Sequence, residues 1–341
     1  MAPRAFITGL EGLTVSAAER DFLRASDPWG LILFKRNVET PAQATDLVTE
    51  FRAILGRKDA PVLIDQEGGR VQRLQPPHWP AYPPGAAFGG LYQRHSGDGI
   101  AAARLGSRLI AADLAALGIT VDCLPLADVP VPGSHDVIGD RAYGITADQV
   151  AVLARSVSDG LMDGGVLPVL KHIPGHGRAG SDSHKALPVV HTDQATLEAT
   201  DFAAFRPLAD LPLAMTAHVV FTAYDPALPA TTSRIMIDRV IRGFIGFSGA
   251  LMSDDVSMEA LSGSIGERTA AALAAGCDLA LHCNGKLNEM KEVAANSPML
   301  SGAALRRAEA ALAARKAPKP LDVAAARGEF ARMMGAQGAV A

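Results

Sequence analysis

Cysteine is scarce in this chain: Cys123, Cys277 and Cys283 are the three in 341 residues, and no two form a CxxC pair. An odd count at those spacings argues against a disulfide framework and against a zinc knuckle, and fits a reducing compartment. Excess positive charge is missing as well. The formal net charge is −4 and no Lys/Arg run stands out, so the basic footprint of a nucleic-acid or membrane tether is absent. The opening Met-Ala-Pro-Arg-Ala-Phe-Ile-Thr-Gly holds no apolar signal-type core before Glu11, and no apolar stretch is long enough to span a bilayer. These absences predict a soluble, cytoplasmic protein. Two phosphate-cradling signatures are missing too: no GxGxxG follows an early strand, and there is no GxxxxGKS/T.

What is present is a large store of apolar residues, 48% of the chain against 20% charged, enough for a sizeable core. Short apolar runs recur at Ala5–Thr8, Gly30–Phe34, Pro61–Ile64, Ile119–Leu126, Val166–Leu170, Leu213–Ala217, Ala250–Met252 and Leu279–Leu281. Near-continuous runs suit strands buried on both faces of a parallel sheet. Amphipathic helices separate most of them. Thr40 to Gln43 reads as a capping box with Pro41 at the first helical position, then Ala44, Leu47, Val48, Phe51 and Leu55 mark one face before Gly56. Thr146 to Gln149 repeats the box, and Val150, Leu153, Ala154, Val157 and Leu161 follow before Gly164. Eight strands alternating with helices predict an α/β protein with a single (β/α)8 TIM-type barrel and long loops at its carboxyl face, rather than a doubly wound sheet. Residues 1–341 are read as one catalytic domain, with the barrel over about 1–300 and a helical tail over 301–341, broken at Pro318 and Pro320, packed on the exterior. Gln75–Gly85, rich in proline, reads as a long rim loop.

In such a barrel the polar residues at the carboxyl ends of strands face the active site. That position yields Lys35-Arg36-Asn37, Asp65 to Arg70, Asp128, Lys171-His172, His218, Ser253-Asp254-Asp255 and His282 with Asn284. Such convergence of both charge signs predicts a pocket for a small polar ligand. Asp254 could be a helix N-cap, but a cap explains one carboxylate and here two stand together; an ionised nucleophile is the other reading, with Lys171 and His172 near enough to hold its pKa down. The Ile173–Leu187 stretch is structureless and dense in Gly, Ser, Asp and His. His172 and His176 stand four apart, yet Pro174 and Gly175 forbid the helix that a zinc pair needs, so no metal is expected. Asp182 and His184, two apart in extended backbone, can instead share a hydrogen bond that tunes the imidazole for proton transfer. Asp65 suits two adjacent hydroxyls. Arg70 and Arg73 could simply pair with Glu67 or Asp65. Lys171 also leaves open a Schiff-base lyase.

Three segments together carry a family resemblance: Asp65-Gln66-Glu67-Gly68-Gly69-Arg70-Val71-Gln72-Arg73, Lys171-His172-Ile173-Pro174-Gly175-His176-Gly177 with Asp182-Ser183-His184, and Ser253-Asp254-Asp255. From about residue 5 to about residue 300 the chain resembles glycoside hydrolase family three. More narrowly, it resembles the single-domain bacterial β-N-acetylglucosaminidases of peptidoglycan recycling. The resemblance implies that Asp254 is the nucleophile, His184 the acid/base and Asp182 its dyad partner. It implies that Asp65, Arg73, Arg141, Lys171 and His172 bind a terminal GlcNAc, with no metal or cofactor. The partner it implies is a small muropeptide or disaccharide taken by a monomer, with no nucleic acid or membrane involved. Roles for Arg36, His176, His218 and His282 stay open.

Overall fold

A computed structural model describes residues 2–183 and 186–335. Eight parallel strands close into a barrel in sequence order: β1 (Arg4–Thr8), β2 (Pro28–Leu33), β3 (Val62–Ile64), β4 (Val121–Asp122), β5 (Leu167–Ile173), β6 (Leu213–Thr216), β7 (Ala250–Asp255) and β8 (Leu279–His282). Each predicted apolar run carries one of them. The strands β5 and β7 run longer than the runs do, so that Lys171, His172, Asp254 and Asp255 lie within strands rather than after them. Polar side chains at the carboxyl end do not stop the backbone from pairing: Ile173 is still registered with Thr216, and Asp255 with Leu281.

Two apolar layers follow from the alternation of strand side chains. Inside the barrel, Ile7, Ile32, Leu63, Val121, Val169, Met215, Met252 and Leu281 pack on one another. Outside it, Leu31, Ile64, Leu170, Ala214, Leu251 and Ala280 meet the helices. Pro41–Leu55 is capped as its sequence predicts at Thr40, whose side chain accepts from the Gln43 amide, and ends at left-handed Gly56. The box is not reciprocal: the Gln43 side chain accepts from the Glu39 amide instead. Ile54, not Leu55, completes the buried face. Ala147–Asp163 starts at Thr146 without a side-chain cap, and the Gln149 side chain donates to the Tyr143 and Gly89 carbonyls rather than closing a box.

The tail divides in two. Gly302–Ala313 lies under the amino end of the barrel, where Ala308 and Ala311 join the inner apolar cluster. Val323–Met333 packs on Ser96–Ala116, with Arg327 paired to Asp113 at 2.6 Å and Phe330 beside Tyr82 and Phe88. The proline-rich 75–85 segment is tied down by this contact, since the Tyr82 hydroxyl donates to Asp113 at 2.6 Å. Among the described residues no helix is long and apolar enough to cross a membrane.

Candidate active site

Strand alternation aims the site. Leu63, Val169 and Met252 point inward, so the residues two further on, Asp65, Lys171 and Asp254, do the same at the carboxyl mouth. Phe34 and Cys283 follow Ile32 and Leu281 by the same rule. All five line one cavity of about 750 Å³ including its mouth, together with Glu67, Arg73, Val137, Ile138, Arg141, His172, His176, Ser183, Met215, Asp255 and Met258.

The binding wall is an ion-pair ladder. Lys171 Nζ donates to Asp65 at 2.9 Å and to Glu67 at 2.7 Å; Arg73 pairs with Asp65 at 3.0 Å, and Arg141 grips Glu67 through both oxygens at 2.8 and 2.9 Å. Burial alone would push the Asp65 carboxyl up, but Lys171 and Arg73 overcome it and hold it far below the usual range. Glu67 shifts the same way, burial being outweighed by Lys171 and Arg141. Burial opposes the charge on Lys171 as well, yet the two carboxylates raise its pKa above the ordinary value. A Schiff-base lysine needs a free amine, so an Nζ held by two carboxylates argues against the lyase reading.

His172 faces the cavity with its tautomer set. Its Nδ1 lies 2.7 Å from Asp128, a fully buried carboxylate that also accepts the His176 amide at 2.6 Å. Burial would raise the Asp128 pKa, but His172 and His176 lower it further than burial lifts it. An ionised carboxylate accepts only, so Nδ1 carries the proton. His176 turns its Nε2 to Ser183 Oγ at 3.0 Å, and burial followed by the nearby His172 lowers its pKa to about 4, leaving it neutral.

The two adjacent aspartates separate by role. Asp255 accepts from the Ser257 amide and hydroxyl at 2.9 and 2.6 Å and from the Cys283 amide at 3.2 Å, which shapes the turn after β7. Neither caps a helix: the next one, Ile265–Ala275, is capped by Ser264. Asp254 faces the cavity and accepts the Asp255 amide at 2.8 Å, while its own amide donates to Thr216 Oγ1 at 3.3 Å. Thr216 continues through Thr231 to His218, whose Nε2 donates to the Asp255 carbonyl at 3.0 Å. Burial lowers the His218 pKa, so this neutral histidine braces the strand end from behind.

The structure thus brings Asp65, Arg73, Arg141, Lys171, His172 and Asp254 to one cavity. Asp182 lies on the loop that carries Ser183 to the rim, and His184 falls outside the described residues. Of the four undecided residues, His176 lines the cavity, whereas Arg36 donates to the Leu10 and Cys283 carbonyls and His282 pairs with Glu289 at 3.3 Å. Arg70 points outward to Asp140 at 3.0 Å. Sequence reasoning offered Glu67 only as an ion-pair partner for Arg70 or Arg73, whereas it pairs with Lys171 and Arg141, and it left Asp128 without a partner. For Phe34 and Cys283 the inward alternation of their strands was the available signal.

A closed parallel barrel with a charged pocket at its carboxyl mouth is the framework of a barrel enzyme for a small polar substrate. The sequence matches the glycosyl hydrolase family 3 N-terminal domain over residues 7–310, and the chain belongs to that family of glycoside hydrolases. It is 40% identical to a β-hexosaminidase of Alkalilimnicola ehrlichii over 81% of this chain and 79% of that one. A β-hexosaminidase of Methylococcus capsulatus is 39% identical over 81% of each. Among solved structures, NagZ from Neisseria gonorrhoeae in complex with N-trifluoroacetyl-D-glucosamine superposes with a TM-score of 0.88 at 28% identity, over 98% of this chain and 99% of that one.

Proposed function

We propose that the chain is a retaining β-N-acetylglucosaminidase that releases terminal β-1,4-linked GlcNAc from 1,6-anhydro-MurNAc and its peptides during cytoplasmic cell-wall recycling. The observation that carries this reading is the placing of Asp254, an inward carboxylate at the end of β7, in the same cavity as the Asp65–Lys171–Glu67–Arg141 ladder. Fixed charges of both signs suit sugar hydroxyls and an amide, and a carboxylate among them suits attack on the anomeric carbon. The β-hexosaminidase relatives support the N-acetyl sugar.

In this mechanism Asp254 attacks C1 while His184, oriented by Asp182, protonates the leaving oxygen. Water then attacks the glycosyl-Asp254 ester with His184 as base, and the free sugar leaves with retained configuration. Asp65, Arg73, Arg141, Lys171 and His172 hold the sugar. With Nδ1 held by Asp128, the Nε2 edge of His172 is left for a sugar hydroxyl.

The test is release of 4-nitrophenol from the β-N-acetylglucosaminide and from the plain β-glucoside, by wild type, Asp254→Asn and Asp255→Asn. The expected result is turnover of the N-acetyl substrate alone, lost by a factor of about 10³ or more in Asp254→Asn and largely kept in Asp255→Asn. Preference for the plain glucoside would overturn the substrate, and an active Asp254→Asn would overturn the nucleophile.

A further inference from the structure

Glu67 is the best-connected carboxylate in the cavity to which no role has been given. It is almost fully buried, both of its oxygens are engaged, and the two cations it meets come from different parts of the fold. Lys171 belongs to β5, a fixed wall of the barrel. Arg141 ends a short 3-10 turn, Gly139–Arg141, in the long connection after β4, and no barrel strand fixes its backbone. Besides Glu67 its guanidinium donates to the Val137 carbonyl at 3.0 Å, a bond within the same loop. The loop backbone is held by other contacts, Arg70 donating to the Asp136, Val137 and Ile138 carbonyls and the Arg141 carbonyl packing closely on Gly85, so the bidentate Glu67 grip fixes the guanidinium rather than the backbone. Glu67 is itself aimed by its neighbours. Gly68 and Gly69 have φ of +94° and +56°, and a Cβ on Gly68 would stand 2.4 Å from the Pro83 carbonyl, so the short hairpin of Gln66–Gly68 and Val71–Gln72 turns there in one way.

We propose that Glu67 is a positioning residue: anchored by Lys171, it aims the Arg141 guanidinium into the cavity and so sets affinity for the terminal sugar. The proposal rests on the glycosidase reading above. Because both oxygens of Glu67 are taken, its effect on a ligand runs through the cations it holds. Of these Lys171 keeps Asp65 as a second partner, whereas Arg141 has no other carboxylate in its grip among the described residues. An amide cannot replace it: the Arg141 fork offers two N–H groups to two acceptors, and glutamine would turn an NH2 toward one of them.

The test is a double-variant cycle in the full chain with Glu67→Gln, Arg141→Ala and the pair. It reads kcat and KM on 4-nitrophenyl β-N-acetylglucosaminide and, by calorimetry, the Kd for GlcNAc. Glu67→Gln should raise KM and Kd about 10- to 100-fold while kcat stays within about threefold, and it should add nothing once Arg141 is alanine. Glu67→Asp, which keeps the charge on a shorter stem, should recover part of the affinity and carries the test if the glutamine variant does not fold. Unchanged KM and Kd in either Glu67 variant, or effects that multiply in the pair, would overturn the proposal. A wild type that binds GlcNAc but turns over neither glycoside would sink the hydrolase reading alone, and the binding cycle would still decide the role of Glu67.

Discussion

Lys171→Met is the sharpest probe of the ladder. The side chain is 2% exposed and makes two charge-assisted bonds, at 2.9 Å to Asp65 and 2.7 Å to Glu67. Methionine fills most of the same volume, so packing changes little and the electrostatics change fully. Arg73 and Arg141 remain, and each carboxylate keeps one partner. The cost then falls at the low end for breaking a buried pair, about 3 kcal/mol. A chain of this length unfolds with an entropy of about 0.7 kcal/mol/K near 60 °C, so Tm should drop by about 4 °C. The sign of the pH dependence is also fixed. In the wild type the depressed Asp65 pKa supplies stability above its unfolded value, lost only as pH falls through the much lower folded value. Without Lys171 the two carboxylates share a buried site, one of them titrates upward, and acid relieves the repulsion. The gap between wild type and variant, from urea unfolding, should therefore shrink between about pH 7.5 and about pH 4.5. A gap under about 1 kcal/mol, or one that stays constant with pH, would refute the ladder as a stabilising unit.

His176 gives an acid window of its own. Its pKa of about 4 in the fold lies below the ordinary value, so its stabilisation is complete above about pH 6.5 and fades as pH falls toward 4, by roughly 3 kcal/mol in all. Urea midpoints for wild type and His176→Asn across that range check it, the variant showing the flatter profile; parallel profiles would remove His176 as the cause. Gly68→Ala should cost about 2 kcal/mol or more, from the positive φ and the contact with the Pro83 carbonyl, and should weaken GlcNAc binding through Glu67. Thermal midpoint and calorimetry read the two effects, and a variant as stable as wild type would show that the turn yields.

The barrel was legible because its strands are buried on both faces, which writes each as an apolar run such as Val62–Ile64 or Leu279–Leu281. Helix boundaries at Thr40 and Gly56 were legible from local backbone chemistry. Side-chain partners were less so. Gln149 has the residue type and position for a capping box, yet its amide bonds to the carbonyl of Tyr143, just upstream, and to that of Gly89 in the distant helix Gly85–Arg94, which no local pattern reveals. Asp254 and Asp255 look alike in sequence and part company only when alternation turns the first to the cavity and the turn after β7 engages the second. The partners of Glu67 and Asp128 lie 74 and 44 residues away, so their bonds exist only once the barrel has closed. The Ala-rich Gly302–Ala313 segment reads as a generic surface helix, and its small side chains fit under the barrel only in three dimensions.

That helix makes the barrel a vessel with a floor. Above it Ile32, Met215 and Leu281 of the inner layer line the base of the cavity around Asp254, which lies at the carboxyl mouth of the barrel. A sugar held against such a floor blocks its own retreat while anything remains attached on the rim side. Departure then has an order: the piece nearer the rim goes first, and water follows it in by the same door. Under the proposed mechanism the deeper sugar leaves last, once water has cleaved its ester to Asp254.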